Sequence, residues 1–205
     1  MLDRLVDAML DALLVAVAVI LAAALAPARD APAVGTVVGP DRGALDAAID
    51  RLTVATPAAA SPYDRALFPH WIEITVGCDT RCVVLDRQRS PGGWLSAYDG
   101  YVASRTGELE IDHVVPLAEA WVSGASTWTL ARRQAFANDL AGTELLAVSA
   151  WSNRAKGADD PAVWRPPDPG WWCAYADAWV AVKLRWDLTA DPTEVEALHD
   201  MAQRC

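Results

Sequence analysis

The stretch Glu110-Ile111-Asp112-His113-Val114-Val115-Pro116-Leu117, answered 40 positions after His113 by Asn153-Arg154-Ala155-Lys156-Gly157, governs the reading of this chain. Leu109–Asp112 predicts a short strand that delivers His113 to a loop, and Pro116 suits the first turn of a helix running to Val122 and stopped near Gly124. Farther along, Leu145–Val148 predicts a second strand, with Ser149 placed to cap a helix through Lys156 that Gly157 closes. Strand, long insertion, strand, helix is the order of a ββα unit, with two strands on one wall of a site and the helix on the other.

Working outward, Trp71–Val76 alternates and is β-branched enough for a strand, which Gly77 breaks before a loop Cys78-Asp79-Thr80-Arg81-Cys82. Trp128–Leu140 predicts a helix. Trp172, Trp179 and Trp186 recur every seven residues on a long helix, spacing that burial of one face demands, and Pro192–Arg204 predicts a last helix. Residues 29–60 are rich in Ala, Pro, Val and Gly and read as a linker, with one helical patch at Asp41–Leu52 where Leu45, Ile49 and Leu52 fall at i, i+4, i+7. The folded domain is expected over residues 61–205.

Residues 1–28 stand apart. An apolar run from Ala12 to Ala26 ends in Ala26-Pro27-Ala28, the small-x-small pattern of a cleavage site, and it is short for a membrane span. Export signals normally begin positive, whereas Asp3, Asp7 and Asp11 here face only Arg4. Signal peptide and N-terminal membrane anchor are therefore both expectations, each engaging the export machinery or the membrane, with the remainder secreted or tethered outside.

At 205 residues, 53% hydrophobic and 21% charged, the chain can bury one domain's core, and it is globular in composition. The net charge of −10 excludes a protein that coats nucleic acid non-specifically, since such binding relies on Lys and Arg neutralising phosphates. Without residues 1–28 the balance is still 24 acids to 16 bases, so any contact with a polyanion must be local and cation-assisted. The four cysteines suit an oxidising compartment and two disulfides, for which the sequence permits three pairings. Cys173 with Cys205 is favoured, because that bridge restrains a C-terminus that otherwise frays, and Cys78 with Cys82 remains. A four-thiolate zinc site competes but matches the spacing poorly.

An Asp-His pair and a helical Asn supply oxygen donors for one hard cation and an imidazole able to deprotonate water, which are the parts needed to cut a phosphodiester. Arg81, Arg154 and Lys156 are candidates to hold the phosphate. His70 and His199 lack any such setting and are read as structural.

The segment from Ile111 through Ala120-Trp121, Arg133-Gln134-Ala135-Phe136-Ala137-Asn138-Asp139-Leu140, Ala147-Val148-Ser149, Asn153 and Lys156-Gly157 resembles the HNH endonuclease family. More narrowly it is similar to small secreted HNH proteins related to the C-terminal nuclease domain of modification-dependent restriction enzymes. The likeness runs from about Tyr63 to Cys205 and takes in Trp71, Cys78-Asp79-Thr80-Arg81, Tyr98-Asp99-Gly100 and Trp172-Cys173. It implies an α+β fold with a ββα-metal core, additional packed helices and a disulfide-tied C-terminal helical pair. It also implies His113 as general base, Asp112 and Asn153 as ligands of one divalent cation (Mg²⁺, with Mn²⁺ as a substitute), and Asn138 as the amide bracing the base's loop. The expected substrate is nucleic acid, DNA and also RNA, cut with little sequence preference and without an obligate protein partner. The competing expectation is a non-catalytic secreted binding module on the same scaffold.

Overall fold

The computed structural model describes residues 41–205, so the expected signal or anchor and the linker through residue 40 lie outside the described residues. In chain order it contains α1 (Arg42–Ile49), a hairpin of β1 (Glu73–Thr75) and β2 (Cys78–Asp79), α2 (Thr80–Gln88) and a hairpin of β3 (Trp94–Leu95) and β4 (Val102–Ala103). Then come β5 (Leu109–His113), α3 (Leu117–Val122), α4 (Leu130–Ala137), β6 (Leu145–Ser149), α5 (Ala150–Lys156), α6 (Trp172–Trp186) and α7 (Pro192–Ala202). The fold is α+β, with small antiparallel sheets and two disulfides.

β5 and β6 pair antiparallel in unbroken register from Leu109 opposite Ser149 to His113 opposite Leu145. The period of two splits their side chains. Leu109, Ile111, Leu145 and Ala147 bury against Val84 and Leu85 of α2, with Trp94 and Ala103 completing a small core. The opposite face carries Glu110 and Asp112, and α5 packs across it.

The larger core unites α1, α3, α4, α6 and α7 around Trp179, Phe68 and Phe136, all fully buried. Phe68 meets Trp121 and Phe136 edge-on at 6.0 and 6.2 Å. Trp179 fills the centre while Trp172 and Trp186 pack half-buried at the ends of α6, as the heptad spacing implied. The linker reading of residues 29–60 needs correcting over its C-terminal part. Leu45, Ile49 and Leu52 are buried in this core, and His199 of α7 meets Asp46 at 2.8 Å, so α1 belongs to the folded unit.

Other departures are local. The expected Cys78–Cys82 loop is instead β2 and the first turn of α2, where the Asp79 carboxylate accepts from Cys82 N at 2.8 Å. The sequence hid α2 because only Thr80, Val84 and Leu85 are buried on it, too narrow a stripe to read as periodic. Of the expected strand Trp71–Val76 only Glu73–Thr75 forms, wholly exposed, since Trp71 leaves the extended region with φ +59°. The helix expected over Trp128–Leu140 contracts to Leu130–Ala137, because Thr129 caps it and Asn138 ends it.

Cys78 is bonded to Cys82 and Cys173 to Cys205. The second bridge joins residues 32 apart and fixes the end of α7 to the start of α6. On the chain-entropy relation it contributes about 3–4 kcal/mol, so the Cys173→Ser, Cys205→Ser variant should unfold at lower urea with unchanged low-temperature activity. An unaltered midpoint would show that the bridge does not restrain the chain.

Behind α6 lies a buried cluster. The Lys183 ammonium donates to Glu119 at 2.8 Å and Glu194 at 2.7 Å, and Trp179 Nε1 donates to Glu194 at 2.5 Å. Two carboxylates on one ammonium leave a negative charge uncompensated. Burial accordingly pushes the Glu194 carboxyl up to about 7, with Lys183 opposing. A folded value above the unfolded one means this contribution is complete below about 4.5 and is lost as pH rises through about 7. Melting temperature should therefore fall between those values, and Glu194→Gln should flatten that fall; an identical slope in the variant would assign it elsewhere.

Candidate active site

Two periodicities assemble the site. Glu110 and Asp112 lie two apart on β5 and share a face; Asn153 and Lys156 lie three apart on α5 and share another. Packed together they pair off: Asn153 Nδ2 donates to Glu110 at 2.7 Å, and Lys156 Nζ donates to both Asp112 oxygens at 2.9 and 2.8 Å. Ser149 caps α5 by accepting from Ser152 N at 3.1 Å, and Asp99 accepts from both serine hydroxyls, fixing the helix start. Gly157 ends the helix at φ +58°, a conformation that favours glycine.

Lys156 is therefore not a phosphate holder. Its side chain is fully buried, and its third donor goes to the His113 carbonyl at 2.8 Å. Asp112 also accepts from Tyr98 Oη at 2.5 Å. Burial raises the Asp112 carboxyl, and Lys156 and Tyr98 pull it back.

The His113 ring is held on several sides. Its Nε2 lies 3.0 Å from the Ala137 carbonyl, which can only accept, so Nε2 carries the hydrogen and Nδ1 is the free lone pair of the neutral ring. The Trp71 indole stacks on it at 5.6 Å and 27°, and His70 meets it edge-on at 6.3 Å. Burial above all pushes its pKa down to about 3, with Arg65 and His70 adding in the same direction, so the ring is neutral at physiological pH.

Asn138 does not brace the loop after His113. Its amide donates to Pro69 O at 2.8 Å and accepts from Ile72 N at 3.2 Å and Thr80 Oγ1 at 2.7 Å, gripping the backbone on both sides of Trp71. A bulky residue at φ +59° costs on the order of 1–3 kcal/mol, and this grip is what holds it against His113. The loop itself is braced by Glu144, a residue the sequence reading missed: Glu144 O accepts from Val114 N at 2.7 Å and its side chain from Val115 N at 3.1 Å. Glu144 directly precedes the strand opposite β5, and that position was its only signal. Arg81 is corrected too, since it donates to the carbonyls of Thr106 and Leu109 at 3.2 Å and supports the start of β5.

Asp112, His113, Asn153 and Arg154 line one cleft of about 360 Å³, and Tyr63 and Arg65 line it too. A hard cation fits its donor set. Because a carboxylate only accepts, Glu110 must face the Asn153 nitrogen; Asn153 Oδ1 then points away, with no hydrogen bond among the described residues. Asp112 uses three of about four lone-pair positions, leaving one. Cys78, Cys82 and Asp86 also cluster, but both sulfurs are in the disulfide, which excludes a thiolate zinc site there.

Removing the ammonium would strand a buried carboxylate. Lys156→Met should cost roughly 3–5 kcal/mol of stability in urea unfolding. A variant with the wild-type midpoint and only a raised KM would restore the phosphate-holding role.

Residues 86–201 match the family described as GmrSD restriction endonucleases, C-terminal domain. An uncharacterized secreted protein of Arthroderma benhamiae is 39% identical over 177 residues, covering 81% of this chain and 87% of its own length. No solved structure matches. With more than half of its length matched, and with Asp112, His113 and Asn153 on one cleft, the chain belongs to this HNH-type family of restriction-endonuclease C-terminal domains.

Proposed function

We propose that this protein is a secreted or surface-tethered, metal-dependent nuclease that hydrolyses phosphodiester bonds of DNA, with RNA as a second substrate and with little sequence preference. The observation that carries the reading is a neutral imidazole, locked through Nε2, sharing a cleft with two oxygen donors. β5, β6 and α5 are the ββα-metal core of this reading. Residues 61–205 with α1 make up the nuclease domain, and residues 1–28 serve as export signal or anchor. Two disulfides and a relative named as secreted support the location.

His113 Nδ1 takes a proton from the attacking water, and the Ala137 carbonyl keeps the ring turned for that task. An anionic phosphodiester beside the ring raises its basicity from the depressed resting value. Lys156 fixes Asp112, and Glu110 fixes the Asn153 amide, so both oxygens are oriented before substrate arrives. Those two oxygens would hold one divalent cation, Mg²⁺ or Mn²⁺, with water and phosphate completing its ligands. When bound, the cation supplies charge to the scissile phosphate and the departing oxygen.

Supercoiled plasmid, single-stranded DNA and RNA should be cut with Mg²⁺ present and left intact with EDTA. His113→Ala should lower the rate on the order of 10²–10⁴-fold while Mn²⁺ affinity by calorimetry stays near wild type, and Asn153→Ala should weaken that affinity. Wild-type turnover in His113→Ala would sink the mechanism, and no cleavage of any substrate by the wild type would sink the nuclease reading.

A further inference from the structure

The cleft must attract a polyanion to a protein of net charge −10, and its charges can be assigned one by one. Lys156 is sealed against Asp112. Arg154, although exposed, donates to Glu110 at 2.9 and 2.6 Å. Arg81 is spent on the Thr106 and Leu109 carbonyls, and it does not line the cleft. With Asp112 matched by Lys156 and Glu110 by Arg154, one guanidinium in the lining is left without a carboxylate partner among the described residues, that of Arg65.

Its backbone is firmly seated. Asp64 Oδ1 accepts from Ala66 N at 2.9 Å, the Arg65 carbonyl accepts from Phe68 N at 3.0 Å, and the Phe68 ring is fully buried in the core. The Asp64 carboxylate thus turns toward the backbone, while the Arg65 side chain stays exposed beside Tyr63. Arg65 also lies near enough to His113 for its charge to depress that ring, which places it within electrostatic reach of the reacting centre.

We propose that Arg65 binds the non-bridging oxygens of the substrate phosphodiester in the cleft that it lines together with His113 and Asn153; this rests on the nuclease reading above. A guanidinium presents paired donors in a fixed fork that matches a phosphate, whereas an ammonium is a single point of charge. Such a residue resolves how an acidic protein handles nucleic acid: one cation at the cleft with no carboxylate partner among the described residues, in place of a basic surface. Tyr63, lining the same cleft, is positioned to pack against the neighbouring nucleotide.

The test compares wild type, Arg65→Ala and Arg65→Lys. Plasmid cleavage with Mg²⁺ gives kcat and KM, and fluorescence anisotropy of a short single-stranded DNA oligonucleotide in EDTA gives Kd without turnover. Arg65→Ala should lower kcat/KM and raise Kd about tenfold to a hundredfold, the range of a charged hydrogen bond. The slope of log Kd against log salt should shrink by about 0.7. Arg65→Lys should recover the salt slope but only part of kcat/KM. Wild-type kcat/KM and Kd in Arg65→Ala would overturn the assignment. If the wild type binds the oligonucleotide through Arg65 yet cuts nothing, the phosphate site stands and the nuclease reading falls; if it does not bind, the phosphate site falls.

Discussion

The buried contact between Lys156 and Asp112 organises the functional half of the molecule. One ammonium reaches both oxygens of a strand carboxylate and the carbonyl of the following histidine, tying α5 to β5 at the residue pair that matters. A buried ion pair is weak evidence for stability, because removing two charges from water costs about as much as their attraction returns. Its value here is geometric. Neither partner can turn away without leaving a charge unpaired in the interior, so the orientation of Asp112 is fixed more tightly than packing alone would fix it.

Around that pair the site is built by backbone carbonyls and amides. The Ala137 carbonyl sets the His113 tautomer, Asn138 beside it grips the strained turn at Trp71, and Trp71 closes the face of the same imidazole. Two consecutive residues at the end of α4 therefore control one ring by two routes. Glu144 does the equivalent for the loop after the ring, from the start of β6. Ala137, Asn138 and Glu144 lie at or directly beside the ends of α4 and β6, which suits a site whose donors must be placed before substrate binds.

The C-terminal helices form a separate support. Lys183 gathers Glu119, Glu194 and the Thr189 carbonyl, while Cys173–Cys205 locks the ends of α6 and α7. Lys183 and Lys156 are both fully buried and both neutralised, yet they differ in consequence. The first joins helices in the core; the second faces a carboxylate that lines the cleft. A small domain thus uses the same device twice, once for cohesion and once for a site.

The sequence by itself determined the strand–helix order from Leu109 to Gly157, the cap at Ser149, the buried Trp179 face and the family to which the chain belongs, because these depend on local spacing and residue type. It also placed Asp112 on the first strand and Asn153 on the helix, whereas His113, expected in the loop after that strand, is the strand's last residue. What the tertiary structure decided were the partnerships. Whether Lys156 would meet substrate or Asp112 depended on which face of α5 packs on β5. Whether Asn138 or Glu144 would brace the loop after His113 depended on how the insertion between the strands folds back. Arg65, some fifty residues upstream, reached the cleft through the burial of Phe68. Charge neutralisation is a matter of distances of about 3 Å between residues remote in the chain, and no local pattern encodes it.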